Sequence, residues 1–257
     1  MISVCLATYN GEKFIKEQLN SILSQISKND EIIISDDGSI DDTLNIISSL
    51  CDDRIKIYLN DRINQKLASI NLITSNFENA LRHAKGDIIF LADQDDVWLN
   101  NKVECCMKYL QEYDYVVSDC LITDQHLNVK QTSRFYKGSG FTKNRWKALI
   151  APTPYQGSCA AFNRKVLDIA LPFPRRLQSH DRWIGYVSSF FFNYKIIDDS
   201  LIYYRRHNLN SSSFDEKSKN TLKSKIIARL YYIIHLIYLL LRVKYKKFKT
   251  LIFSKTN

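Results

Sequence analysis

An α/β fold, with a mostly parallel, Rossmann-like sheet covered by helices, is what this chain's sequence predicts. Three observations carry that expectation. Across residues 1–93, short apolar runs alternate with stretches whose apolar residues recur at helical spacing. The runs are apolar throughout rather than alternating, so they read as strands buried on both faces. Each run also stops abruptly in polar or acidic residues, as strands do when they deliver side chains into a crevice at their carboxyl ends.

The elements follow in order. Ile2–Ala7 reads as the first strand, and Ile15, Leu19, Ile22, Leu23 and Ile26 mark one face of the helix after it. Glu31–Ser35 is the second strand and ends in Asp36-Asp37-Gly38-Ser39; Asp41-Asp42-Thr43 then supplies acid and a cap for a helix to about Leu50. Arg54–Leu59 is a third strand. A polar loop at 60–70 leads to a helix carrying Leu72, Ile73, Phe77, Ala80 and Leu81, stopped by Gly86. The run Ile88-Ile89-Phe90-Leu91 follows and ends in Ala92-Asp93-Gln94-Asp95-Asp96-Val97-Trp98, before a helix at about 101–112.

The second half is less regular. Tyr115–Ser118 and Ser158–Phe162 read as strands, the latter after the loop Ala151-Pro152-Thr153-Pro154. Ser179-His180-Asp181 precedes an aromatic-rich helix with Trp183, Tyr186, Phe190 and Phe191. Ile196–Ile197 and Leu201–Tyr204 read as two short strands leading to Arg205-Arg206-His207.

Three strand ends thus carry polar clusters, at Thr8-Tyr9-Asn10, Asp36-Asp37 and Asp93–Asp96, and a parallel sheet places all three at one crevice. Asp93, Asp95 and Asp96 repel one another, so a fold that keeps them ionised needs a cation among them. Hard oxygen donors without adjacent His or Cys suit Mg²⁺ or Mn²⁺ rather than zinc. The plainer reading is a solvated acidic turn that caps the next helix.

Charge is unevenly spread. Residues 217–257 hold eleven of the 36 Lys and Arg and none of the 27 Asp and Glu, leaving 25 basic against 27 acidic side chains in residues 1–216. The chain therefore divides into a nearly neutral body, 1–216, and a basic tail, 217–257. Twelve apolar positions with His235 lie between Arg229 and Arg242, fewer than the roughly 20 a bilayer crossing needs. Basic residues beside Leu, Ile and Tyr fit an amphipathic helix lying in an anionic membrane interface, or else a helix packed on the body. No base-reading motif accompanies the charge, so nucleic acid is not expected as a partner. The six cysteines form no C-x-x-C pair and sit mostly in apolar runs, which predicts a reduced, cytosolic setting without a zinc site. The N-terminus enters a strand at once, so no signal peptide is expected.

In combination, these segments resemble glycosyltransferase family 2, inverting enzymes with a GT-A fold, among them bacterial O-antigen and capsule rhamnosyl- or galactosyltransferases. The resemblance covers residues 1–210. It rests on Ala7-Thr8-Tyr9-Asn10-Gly11 (Ala7 where Pro is common), Asp36-Asp37-Gly38-Ser39, Asp93-Gln94-Asp95 with Asp96-Val97-Trp98, His180-Asp181 where Glu-Asp is usual, and Tyr204-Arg205-Arg206-His207 with Asn210. Ile40-Asp41 and the glycine-free loop at 60–70 depart from the pattern on the donor side.

The resemblance implies a nucleotide diphospho-sugar donor, UDP- or dTDP-linked, and a lipid-linked glycan acceptor. Ala7, Thr8, Tyr9, Asp37 and Asp93 would bind the donor. Asp95 would hold Mn²⁺ or Mg²⁺, and His207, beside Arg205 and Arg206, is a candidate metal or phosphate ligand. Asp181 would be the base; Asp181 and Asp37 equally suit helix N-caps. Trp98 and Trp183 suit sugar stacking or core packing. Such a protein is expected in the cytoplasm, attached peripherally to the inner face of the cell membrane. Processive polysaccharide synthases carry Gln-x-x-Arg-Trp and several spans, whereas here Gln178 and Arg182-Trp183 stand one residue too far apart. A non-catalytic sugar-binding module need keep neither Asp95 nor Asp181. A nucleotidyltransferase would show a Gly-rich loop after the first strand.

Overall fold

The computed structural model describes residues 1–60, 72–135, 139–175, 177–207 and 222–253. Asn210 and, beyond Asn60, the loop at 60–70 lie outside the described residues. The chain divides into two compact units, Met1–Ser211 and Ser212–Asn257.

The first unit is built on a nine-stranded sheet, and its first four strands are parallel. β1 (Ile2–Thr8), β2 (Glu31–Asp36), β3 (Ile55–Leu59) and β4 (Ile88–Asp93) lie in the order β3-β2-β1-β4. Registers Thr8↔Asp36 and Ala7↔Asp93 bring the carboxyl ends of β1, β2 and β4 level. Helices α1 (Ile15–Leu23), α2 (Thr43–Ser49) and α3 (Leu72–His83) form the crossovers. Ile15, Leu19 and Ile22, spaced along one helical stripe, are buried, as the periodicity predicts. Leu72 and Ile73 are exposed, and α3 instead packs through Phe77, Ala80 and Leu81.

Beyond β4 the sheet changes character. β5 (Val97–Trp98), β6 (Tyr115–Thr123), β7 (Val129–Gln131), β8 (Ala160–Asn163) and β9 (Tyr194–Arg205) continue it as β4-β8-β6-β9-β5, with β7 on β6. β8 is antiparallel to both neighbours, whereas β6 and β9 are parallel. Helices α4 (Lys102–Leu110), α5 (Arg145–Ala148), α6 (Arg164–Ala170) and α7 (His180–Phe191) lie between these strands.

Three boundaries differ from expectation. The two short strands near 196 and 204 are one twelve-residue strand. Asp198 and Asp199 interrupt its apolar pattern but stay in the strand because both are exposed, and register shifts in the β6–β9 ladder accommodate the irregularity. β6 runs on to Thr123, its polar Ser118 and Asp119 buried and bonded rather than terminal. Ser158 and Cys159 belong to a 3₁₀ turn, Gly157–Cys159, before β8.

The second unit contains α8 (Leu222–Phe253), an unbroken helix of 32 residues. The twelve-residue limit drawn between Arg229 and Arg242 is too narrow. The 18-residue window Ile226–Val243 has a mean hydropathy of 1.7 and is long and apolar enough, by length and composition, to cross a membrane. The physical reason is that an arginine near the end of an apolar helix lays its aliphatic stem along that helix and reaches outward, so it does not end the apolar stretch. Ile227, Leu230, Ile234, Ile237 and Leu241 are exposed along it.

Candidate active site

The three strand ends converge through direct bonds. Gln94 accepts from Thr8 Oγ1 at 2.7 Å and from the Tyr9 amide at 2.9 Å, and donates to the Tyr9 carbonyl at 3.2 Å. Asp37 N donates to the Thr8 carbonyl at 2.9 Å, fixing β2 to β1. Asp36 builds the turn itself, its Oδ1 accepting from the Gly38 and Ser39 amides at 2.9 and 2.8 Å. Gly38 sits at φ +79, a left-handed conformation that a side chain would strain.

Asp37 is thereby released from turn-building. Its buried carboxylate takes Asn60 Nδ2 at 3.2 Å and does not cap α2, which begins at Thr43. Ala7 and Thr8 lie at the end of β1, and the Tyr9 side chain is exposed at the crevice rim.

The acidic turn is closed by β9. Val97 and Trp98 pair antiparallel with Tyr203 and Ile202, which brings Arg205 and His207 onto the carboxylates. His207 Nε2 lies 2.8 Å from Asp95 Oδ2, with the Phe14 ring 4.7 Å from the imidazole. The two expected metal ligands are therefore adjacent although 112 residues apart in sequence.

Arg205 points inward and is 3% exposed. Its guanidinium bonds the Asp95 carbonyl at 2.8 Å, the Gln125 carbonyl at 2.6 Å and the Glu17 carboxylate. It thus acts as a clamp on the turn, where the sequence suggested an anion contact.

Electrostatics set the acids apart. Burial, then the charges of Asp95 and Asp181, push the Asp93 carboxyl up to about 8. Asp96 is fully buried; its pKa is raised well above the usual range by burial and then by Asp95 and Asp93. Its Oδ1 accepts the Arg205 amide at 3.1 Å, and its Oδ2 has no hydrogen-bond partner among the described residues. Close by, Lys102 is fully buried on α4, with Nζ on the Ser158 carbonyl at 2.5 Å and 4.7 Å from the Trp98 ring centroid. Burial lowers its pKa, against the opposing pull of Cys106, Cys159 and Asp96.

Asp181 stands in the first turn of α7, and Ser179, not Asp181, is the N-cap residue. Asp181 Oδ1 accepts from the Ser179 hydroxyl and from the Arg182 amide at 2.7 Å, while no bond engages Oδ2 among the described residues. His180 beside it is buried and stacked on Phe77 at 3.9 Å, and burial lowers its pKa to about 4. The neighbour of the expected base is therefore a neutral imidazole, which does not pair with the carboxylate. Gly157 lets the 3₁₀ turn approach this helix start: a Cβ there would sit 3.1 Å from His180 Nε2 and 3.5 Å from Asp181 Cβ.

Trp98 and Trp183 are core residues, 2% and 1% exposed. Sequence reasoning missed Lys102, Arg205 as a clamp, and Gln18, whose amide holds the Asp93 carbonyl at 2.8 Å. For Lys102 the signal existed: it lies four and eight residues before Cys106 and Leu110, on the apolar stripe of α4, where a solvated lysine has no place.

The donor set suits a hard divalent cation: clustered carboxylate oxygens, an adjacent imidazole and an orphaned buried oxygen on Asp96. Among the described residues no three His, Cys, Asp or Glu side chains form a ready-made cage. Asp95 and His207 are the residues that would hold such an ion.

The sequence model of glycosyl transferase family 2 matches residues 3–169. The chain belongs to that family. Among family 2 relatives it is 32% identical over 146 residues to the GalNAc(5)-diNAcBac-PP-undecaprenol β-1,3-glucosyltransferase of Campylobacter jejuni, covering 56% of this chain and 44% of that protein. It is 35% identical over 111 residues to the Escherichia coli UDP-Glc:α-D-GlcNAc-diphosphoundecaprenol β-1,3-glucosyltransferase WfaP, covering 43% and 41%. These matches span less than half the length of those relatives.

In fold, it is similar to Staphylococcus aureus TarS 1–349 in complex with UDP-GlcNAc, with a TM-score of 0.63 at 20% identity, over 82% of this chain and 61% of that one. It is also similar to Mycobacterium tuberculosis glucosyl-3-phosphoglycerate synthase in complex with Mn²⁺, UDP and phosphoglyceric acid. There the TM-score is 0.55 at 17% identity, over 93% and 78%. At these identities the likeness establishes the GT-A fold.

Proposed function

We propose that this family 2 chain is an inverting glycosyltransferase that moves one sugar from a nucleotide diphospho-sugar, UDP- or dTDP-linked, to a hydroxyl of a lipid-linked glycan. The observation that carries the reading is the meeting of the Asp93–Asp96 turn with His207 at the carboxyl ends of β1, β2 and β4. Relatives named for glucosyl transfer to undecaprenol-linked sugars support the acceptor class, and fold neighbours in complex with UDP and Mn²⁺ support the donor and cation.

In this reading Ala7, Thr8 and Tyr9 line the donor cleft, Asp37 accepts from the base or ribose, and Asp93 contacts the ribose. Asp95 and His207 would hold Mn²⁺ or Mg²⁺, which when bound offsets the negative charge growing on the leaving diphosphate. Asp181, oriented through Oδ1 by Ser179 and Arg182, receives the acceptor proton on Oδ2 as the acceptor oxygen attacks the anomeric carbon. The bond from that carbon to the diphosphate breaks on the opposite face, so one displacement inverts the centre. His180, held neutral by burial, offers Asp181 no ion pair. Residues 1–216 form the transferase domain. The basic tail, 217–257, attaches it to the anionic inner face of the cell membrane from the cytoplasm.

A screen of UDP- and dTDP-sugars tests the donor side. One donor should raise the melting temperature in Mn²⁺ more than donor or Mn²⁺ alone, because each completes the other's ligand set. The same donor should label an undecaprenol-linked acceptor with inverted anomeric configuration. Equal transfer in excess chelator would remove the metal, and retention of configuration would remove the single-displacement mechanism.

A further inference from the structure

A different face of the first unit carries a feature that sugar transfer does not use. Trp146 is 68% and Ile150 66% exposed. They lie four residues apart on the helical turn begun by α5, hence side by side. Trp98 and Trp183, the other two tryptophans, are both core. The turn is held firmly in this exposed position. Asn144 caps it by accepting the Trp146 and Lys147 amides at 3.0 and 3.1 Å, and Tyr186 donates its hydroxyl to the Ala148 carbonyl at 3.0 Å. Phe190 packs edge-on against the indole at 4.9 Å. The large apolar pair is therefore presented rigidly rather than left loose.

Its surroundings are cationic. Lys143, Arg145 and Lys147 flank the indole in sequence. Lys143 is shared with Asp198 of β9 at 2.6 Å, and Arg145 lies over the Tyr194 ring at 5.2 Å. A sugar platform for the reaction is the competing use of an exposed indole. However, Trp146 contacts Phe190, nine residues after Asp181 on α7, or about 13 Å along the helix from the expected base. Tryptophan with an aliphatic neighbour and basic flanks suits the interface of an anionic bilayer, where the ring sits at headgroup depth and the cations meet phosphate.

We propose that the turn 144–151 is a membrane-interface anchor, with Trp146 and Ile150 entering the headgroup region of an anionic bilayer and Arg145 and Lys147 pairing with lipid phosphate. The anchor belongs to the first unit and is independent of the α8 tail and of the transfer reaction.

The two buried tryptophans make the test selective. The full chain is mixed with vesicles of phosphatidylglycerol and phosphatidylcholine, with and without bromine on the acyl chains. Trp146 emission should shift to the blue, lose its acrylamide quenching and gain bromolipid quenching; Trp146→Phe should abolish all three changes. Arg145→Gln and Lys147→Gln should each weaken vesicle binding about fivefold at low salt. Transfer to a water-soluble acceptor should be unchanged in all three variants, which separates failure of the anchor from failure of the transferase reading. A chain that binds vesicles while Trp146 stays unquenched by bromolipid overturns the proposal, as does one that binds none. Protection from acrylamide that rises with protein concentration without lipid would assign the patch to contact between copies instead.

Discussion

The parallel half of the sheet and the half beyond β4 build the same crevice by different means. In β1, β2 and β4 the interior positions are apolar or small and all but Ala7 are buried, with polar chemistry gathered toward the strand ends. Register alone then gathers Thr8, Asp36 and Asp93. Beyond β4, the groups proposed for the chemistry and its support come from a helix start (Asp181), a buried helix position (Lys102) and the end of β9, where His207 lies 112 residues from its partner. The parallel half therefore forms a cradle from local pattern, whereas the second half supplies groups that only long-range packing places. Substitutions in the second half should change chemistry or core stability, and substitutions in the first should mainly loosen donor binding.

The largest expected effect is Asp181→Asn, which should lower transfer at least about a hundredfold with donor affinity retained, since the amide keeps the shape but takes no proton. Single-turnover rates beside UDP titration check it. Near-normal transfer would place the base elsewhere and leave Asp181 as a structural member of the α7 start.

Lys102→Met should cost about 2 kcal/mol or more of folding stability, read by urea unfolding. It removes the bond to the Ser158 carbonyl and the buried positive charge facing Asp96. A neutral result would show that Lys102 is an inert stem and that the second half does not depend on it.

Gln94→Ala breaks the three bonds joining β4 to β1 and should cost about 1–2 kcal/mol. Its kinetic signature should be a raised donor KM with kcat nearly kept, opposite to Asp181→Asn. An equal fall in kcat would blur the division between cradle and chemistry.

The last expectation is a slope with pH rather than the effect of one substitution. His180 takes its proton near 4 when folded but near 6.5 when unfolded, so its contribution to stability is complete above 6.5. Stability should decline as pH falls from 6.5 toward 4, by up to about 1.4 kcal/mol per unit, because only the unfolded chain gains the proton. His180→Asn should flatten that part of the profile.

Much of the parallel half was legible in the sequence because buried parallel strands write themselves as unbroken apolar runs and must end where their polar residues begin. The triplet Asp93-Gln94-Asp95, the Asp36-Asp37 turn and the β-α-β order needed nothing further. The eleven positive charges of the tail were equally plain. The tertiary structure alone decided that β9 is one strand, because exposure of Asp198 and Asp199 cannot be read from their identity. It alone turned Arg205 inward onto Glu17 and the Asp95 carbonyl and set His207 against Asp95. Composition and periodicity describe how one element meets a core; they carry no information on which distant element closes over it. The closing of β5 by β9 is such an event, and the acidic turn takes its final form from it.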